Sequence, residues 1–256
     1  MKNVIIYYFR KKRKEERVFN FLKCQIDINL VLEWKPKDII LLSNIDIQYK
    51  NVKSIPFDCE EVLWSKYIYK IIGLIYLIKD LKINDLIWFH DWDAVQLDKF
   101  SYKLPENKDI AVYYGYYFKR RQQPNNGVMF IKPSGLDLLE KCLRTQLNSK
   151  IDGTERPMRE VFEKNKNRIH ELETEHNMGN TGFIKRLKQT KDNIKTVHYK
   201  VTKVKYSNRF IPVIQKQALT NKNTAAVLKI LMNFIKSINQ LDKLNILLNT
   251  SKKGIK

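Results

Sequence analysis

Asp91 and Asp93, one residue apart in the stretch LIWFHDWDAVQ (residues 86–96), are the side chains best placed for chemistry. Ahead of them Leu86, Ile87, Trp88 and Phe89 form a short apolar run rich in β-formers, bounded by Lys82-Ile83-Asn84-Asp85, which reads as a buried strand. Carboxylates are poor strand residues and costly to bury unpaired. Two of them at the end of a buried strand therefore ask for a cation. If the backbone stays extended, residues two apart point to the same side. Two hard oxygen ligands there suit Mg²⁺ or Mn²⁺, with positions left for diphosphate oxygens and water. The spacing alone is common in a chain with this many aspartates, and a surface acidic pair is the bland alternative. Position gives it weight, because open α/β sheets take their ligands at the carboxyl ends of strands.

Other candidates lie far off in the chain. His198, in TVHYKV (residues 196–201), is either a third metal ligand or a half-buried strand histidine. His90 reads as a support for the acidic pair, and His170 and His176 have no partner at a telling distance. Lys66 and Lys70, four apart, share one face near the start of a long apolar helix. That face is either a solvated stripe or one that points at phosphate. Asp152 and Glu155 open a helix, Asp152 as a good helix-start residue and Glu155 as a good first-turn one.

The elements that must position these residues alternate between strand and helix. Strands are expected at residues 4–9, 38–43, 52–57, 86–89, 109–116, 127–132 and 196–201, and helices at 14–32, 60–81 and 134–147 and from about 155. Ser134 and Asp137 have capping-box spacing, and Pro157 sits in a first turn. Residues 119–126 (KRRQQPNN) read as a basic polar loop, and 171–182 as a loop that could line a site. This order implies an α/β fold with a mainly parallel sheet flanked by helices. Residues 1–220 read as the main domain. Residues 221–256 read as a C-terminal helical extension packed on it, the alternative being a basic amphipathic helix that makes weak contact with a membrane surface.

With 256 residues, 43% of them hydrophobic, the chain can bury a sizeable core and is not of the disordered class. A formal charge of +21 attracts polyanions, but the lysines are spread along the chain together with abundant Asn and Ile. The tight clusters, residues 10–14 and 119–121, lack the glycine-aromatic pattern of an RNA-binding sheet, so no specific nucleic-acid partner is expected. Cys24, Cys59 and Cys142 lie far apart, which suits free thiols in a reducing compartment. The longest apolar stretch, residues 68–78, is too short to span a bilayer, and the expectation is a cytoplasmic monomer or dimer.

An N-terminal strand, a strand ending in D-x-D, Asn125-Asn126-Gly127-Val128-Met129-Phe130-Ile131 after a basic loop, and a late histidine together resemble the GT-A fold nucleotide-sugar glycosyltransferases. Within that superfamily the chain is most similar to small viral and bacterial-type enzymes that are little more than a catalytic domain. The resemblance implies a Mn²⁺ or Mg²⁺ ion held by Asp91, Asp93 and His198. It further implies a donor, usually a UDP-sugar, met by Tyr7, Tyr8, Arg10, Asn44, Lys66, Asp91, Trp92 and Asn126, with Arg120 and Arg121 as further cations. A glycan or glycoconjugate hydroxyl would be the acceptor, activated by Asp152 or Glu155 if the enzyme inverts. Tyr199-Lys200-Val201 stands where one large retaining branch has lysine-proline-tryptophan. A rival enzyme, a nucleotidyltransferase, commonly carries a glycine-rich N-terminal loop, and residues 8–14 hold no glycine. A basic nucleic-acid-binding protein is the non-enzymatic rival. It predicts salt-dependent DNA or RNA affinity that survives Asp91→Asn and Asp93→Asn.

Overall fold

The computed structural model describes residues 1–8, 15–59, 67–117, 121–150, 153–179, 187, 193–198 and 204–251. Its elements, in chain order, begin with β1 (Lys2–Tyr7), α1 (Glu15–Val31), β2 (Ile39–Ser43), β3 (Gln48–Tyr49), β4 (Val52–Pro56) and α2 (Ile68–Lys79). β5 (Ile87–His90), β6 (Ala94–Gln96), β7 (Ile110–Tyr117), β8 (Arg121–Ile131), α3 (Leu136–Ser149) and α4 (Glu155–Lys164) follow. The last are β9 (Ile169–Glu171), β10 (Met178–Gly179), β11 (Thr196–His198), α5 (Val204–Ala218) and α6 (Lys222–Ser251).

Eight strands form one mixed sheet in the order β3-β4-β2-β1-β5-β8-β7-β9. β4, β2, β1 and β5 run parallel as neighbours, β8 is antiparallel to both β5 and β7, and β9 returns parallel to β7. The period of two in a strand sorts side chains to two faces. Val4 and Ile6 of β1, Ile40 and Leu42 of β2, and Ile87 and Phe89 of β5 join one core with α2, α3 and α4. Ile5 and Leu41 face the other way, onto Val18 and Leu22 of α1. Gly73 lets α2 lie close on this sheet, since a Cβ there would come within 2.9 Å of Ile6 Cδ1.

A small sheet, β10-β11-β6, lies beside the large one, with β11 parallel to β10 and antiparallel to β6. Its Val95, Met178 and Val197 pack with Phe21 and Ile28 of α1, Phe210 and Ile214 of α5, and Val227, Leu231 and Phe234 of α6. Polar bonds lock the same junction. Gln217 of α5 donates to the Ile194 carbonyl and accepts from its N–H, both at 2.9 Å, and Thr224 of α6 donates to the Leu97 carbonyl at 3.1 Å. Buried amides gain from such two-sided satisfaction because either half alone would leave an orphan.

Three local expectations change. The stretch read as a basic loop is mostly strand: Arg121–Ile131 is the arm of a hairpin with β7. Over residues 121–125 β8 has β7 on one side only, as β5 pairs with residues 128–131, so Pro124 sits at an edge where it is tolerated. The capping box does not form. α3 begins at Leu136 after a 3₁₀ turn, the Ser134 hydroxyl bonds Asp109, and Asp137 pairs with Arg168. Residues 171–182 are not all loop, since a 3₁₀ turn over Thr174–His176 leads into β10. All three cysteines are buried and form no disulfide, and no helix among the described residues is long and apolar enough to cross a membrane.

Candidate active site

β5 lies between β1 and β8 and ends at His90, so the two aspartates emerge from the middle of the sheet at its carboxyl edge. They do not stay extended. The Ala94 N–H donates to the Asp91 carbonyl at 2.9 Å, closing a turn, and the carboxylates converge through that turn rather than through strand alternation. Gln25 of α1, fully buried, fastens it from behind by donating to the carbonyls of Trp92 (2.8 Å) and Ala94 (2.9 Å). From the front, the Asp91 N–H donates to the Gly127 carbonyl at 2.8 Å.

His198 arrives on β11, paired with Ala94 of β6. Its Nε2 lies 3.4 Å from Asp91 Oδ2 and 3.3 Å from Asp93 Oδ1. Gly127 makes room for the ring, because a Cβ there would overlap it. Among the described residues, Asp91, Asp93 and His198 form a group of potential metal ligands, one atom from each lying within 4.8 Å of the others. Hard carboxylate oxygens with one imidazole fit Mn²⁺ or Mg²⁺, and the burial of both aspartates at 8% exposure gives them reason to hold a cation.

Two cations already face these carboxylates. Lys70 of α2 places Nζ 2.5 Å from Asp91 Oδ1. Burial opposes its charge, but Asp91, with Tyr69 and Asp93, holds the Lys70 ammonium above its ordinary range. For Asp91, burial raises the carboxyl, and Lys70 and the bond to His198 more than reverse that, leaving it well below the usual carboxylate range. Burial likewise lowers His198, yet its bonds to Asp91 and Asp93 push it up to about 9. His90, beneath the turn, is driven down to about 4 by burial and places Nδ1 3.1 Å from the Asp91 carbonyl, as a support residue would.

These groups floor a cleft of about 330 Å³. Its far wall comes from a bulge in β8: Val112 pairs with Met129 and Tyr113 with Asn125, so residues 126–128 have no partner on β7. Asn125 and Asn126 reach the cleft from there. The Asn125 side-chain oxygen accepts from Gly127 N (2.9 Å) and Asn177 Nδ2 (3.1 Å), and Asn126 Nδ2 donates to the hydroxyl of Thr154, the residue before α4. Gly153, at φ +105°, turns the chain into α4, whose first residue Glu155 also lines the cleft.

By sequence, no protein-family model and no curated protein matches the chain. The fold does match solved structures. The galactosyltransferase LgtC, in complex with donor and acceptor sugar analogues, superposes with a TM-score of 0.56 at 10% identity, over 83% of this chain and 95% of that one. The chain has the GT-A glycosyltransferase fold. A glycosyltransferase involved in the glycosylation of the major capsid of PBCV-1 matches with a TM-score of 0.53 at 11% identity, over 77% and 93% of the two chains. The glycosyltransferase GlyE of Streptococcus pneumoniae TIGR4 matches at 0.55 and 14% identity, over 93% of this chain and 64% of GlyE. Within this GT-A fold, of the residues singled out from sequence, Lys70, Asp91, Trp92, Asp93, Asn126, Glu155 and His198 meet at the cleft.

The others lie elsewhere or outside the described residues. Tyr8 is core, its hydroxyl on Asp58 at 2.9 Å, whereas Tyr7 faces the opposite side with its ring edge-on to Trp92 at 5.6 Å. Asn44 is exposed just past β2, whose Ser43 is in register with Tyr7. Arg10, Lys66, Arg120 and Asp152 lie outside the described residues, as does the side chain of Arg121. Of the two lysines on one helix face, Lys70 is buried against Asp91, which rules out a solvated stripe at that position. Sequence reasoning missed Asn125, Thr154 and Gln25. Asn125 was legible only as part of the doubled asparagine ahead of Gly127, and no spacing pointed to Thr154 or Gln25.

Proposed function

We propose that this protein is a metal-dependent glycosyltransferase that moves a sugar from a nucleotide diphosphate donor, most simply a UDP-sugar, to a hydroxyl of a glycan or glycoconjugate. The observation that carries this reading is the gathering of Asp91, Asp93 and His198 on the floor of a cleft at the carboxyl end of β5, in a GT-A fold. Asp91, Asp93 and His198 hold the divalent ion, which supplies Lewis acidity toward the departing diphosphate. Trp92 and Tyr7 stand on the nucleoside side, and Asn126, anchored on Thr154, orients the transferred sugar. Low-dielectric walls strengthen each of these contacts.

Mn²⁺ with UDP raises the melting temperature of the wild-type protein in this reading, and Asp93→Ala abolishes the rise. The absence of any shift with UDP, GDP or dTDP in the presence of metal would falsify it. Glu155, which lines the cleft, is our candidate base for the acceptor proton in an inverting transfer, and a retaining transfer needs no such base. Glu155→Gln tests that role. A drop in kcat of about 10²-fold or more marks Glu155 as the base of an inverting enzyme, and a near-normal kcat assigns it to the scaffold.

A further inference from the structure

We propose that Lys70 is a second, permanent cation of the diphosphate site, one that shares Asp91 with the divalent ion. This rests on the glycosyltransferase reading given above. Lys70 lies among the buried Ile68, Tyr69 and Ile71 near the start of α2, and its side chain is 5% exposed. A buried ammonium persists only where it is partnered. Its Nζ is 2.5 Å from Asp91 Oδ1 and 4.9 Å from the centre of the Tyr67 ring. His198 faces the other oxygen of the same carboxylate, Oδ2, at 3.4 Å. The two oxygens of Asp91 are thus divided. Oδ1 belongs to Lys70, and Oδ2 joins Asp93 Oδ1 and His198 Nε2 as the set open to the ion.

An ammonium carries three N–H donors. The carboxylate lies on one side of it and the Tyr67 ring on another, leaving a side for the cleft that Lys70 lines. Charge leads to the same place. Two carboxylates offset one divalent ion, so without Lys70 the loaded floor is neutral; with it, one positive charge is left facing the diphosphate. Lys70 therefore acts on the two ligands in opposite senses. It competes with the ion for Asp91, which loosens metal binding, and it attracts the nucleotide, which tightens diphosphate binding.

Titration calorimetry of Mn²⁺ alone, and then of UDP at saturating Mn²⁺, tests this on the wild type, Lys70→Met and Lys70→Arg. Lys70→Met is expected to bind Mn²⁺ about threefold more tightly or better, and UDP about tenfold more weakly. Lys70→Arg, which keeps the charge, holds UDP affinity within about threefold of wild type. A merely structural ion pair gives a different pattern, with Lys70→Met weakening both ligands. That pattern, or an unchanged UDP affinity, overturns the proposal while the wild-type titration still supports the glycosyltransferase reading. A wild type that binds none of UDP, GDP or dTDP with Mn²⁺ sinks the reading itself. Should circular dichroism show Lys70→Met unfolded, Lys70→Gln takes its place in both titrations, with the same affinity changes expected and the same two patterns overturning the proposal.

Discussion

At His198 a proton and a metal ion compete for one nitrogen. The bonds from Nε2 to Asp91 and Asp93 outweigh burial and push the imidazolium up to about 9, so at neutral pH the ring is charged and must lose its proton to become a ligand. Apparent Mn²⁺ affinity is therefore expected to rise about tenfold per pH unit from neutrality toward pH 9, then level off. His198→Gln flattens that slope and weakens binding. Titrations in buffers of different ionisation heat check it directly, because the wild type releases about one proton per ion at pH 7. The same shift has a stability side. A group raised in the folded state stabilises fully below its unfolded pKa, so the His198 contribution is present near pH 6 and lost as pH climbs through 9. At this scale the sequence spoke clearly for Asp91 and Asp93, whose types cannot be buried without a cation. It could not show that Lys70 would pair with Asp91, since the contact crosses from a helix to a strand end and leaves no spacing to read.

Gln25 shows what an element does for the site. α1 lies across the sheet from α2, and through one amide it fastens the turn that carries both carboxylates. Gln25→Leu keeps the volume and removes both bonds to the Trp92 and Ala94 carbonyls, a cost of about 1–3 kcal/mol. The expected result is a modestly lowered Tm, an unchanged circular dichroism spectrum and a loss of at least half the Mn²⁺–UDP shift. A full shift would mean that the turn holds without its clamp. Most strands and helices were legible, because alternation in β1, β2 and β5 and the three-and-four recurrence along α2 match the layers they build. β8 was not. Its basic, asparagine- and proline-bearing half carries the composition of a loop, and only its pairing with β7 makes it a strand. That misreading hid the bulge, and with it the wall from which Asn125 and Asn126 reach the cleft.

Across the whole molecule, the ligands come from two distant parts of the chain. Asp91 and Asp93 follow β5, whereas His198 is carried by β11, which α5 and α6 hold against β6 through Gln217, Thr224 and the apolar cluster around Phe210 and Leu231. Gln217→Ala strips Ile194 of both its bonds, a loss of about 1–3 kcal/mol. It should lower Mn²⁺ affinity although residue 217 lies nowhere near the cleft; an affinity equal to wild type would uncouple the helices from the site. The α/β class could be read from element order, and the GT-A resemblance from D-x-D at a strand end, Asn125–Ile131 and a late histidine. This coupling could not, because it rests on an amide meeting a backbone far along the chain. For a chain emerging from a ribosome, both carboxylates are made long before the imidazole, and the imidazole before the helices that seat it. Two aspartates alone are a poor chelator, so metal capture waits for β11 and the helices that seat it to be made and docked, and an ion bound earlier has little to hold it.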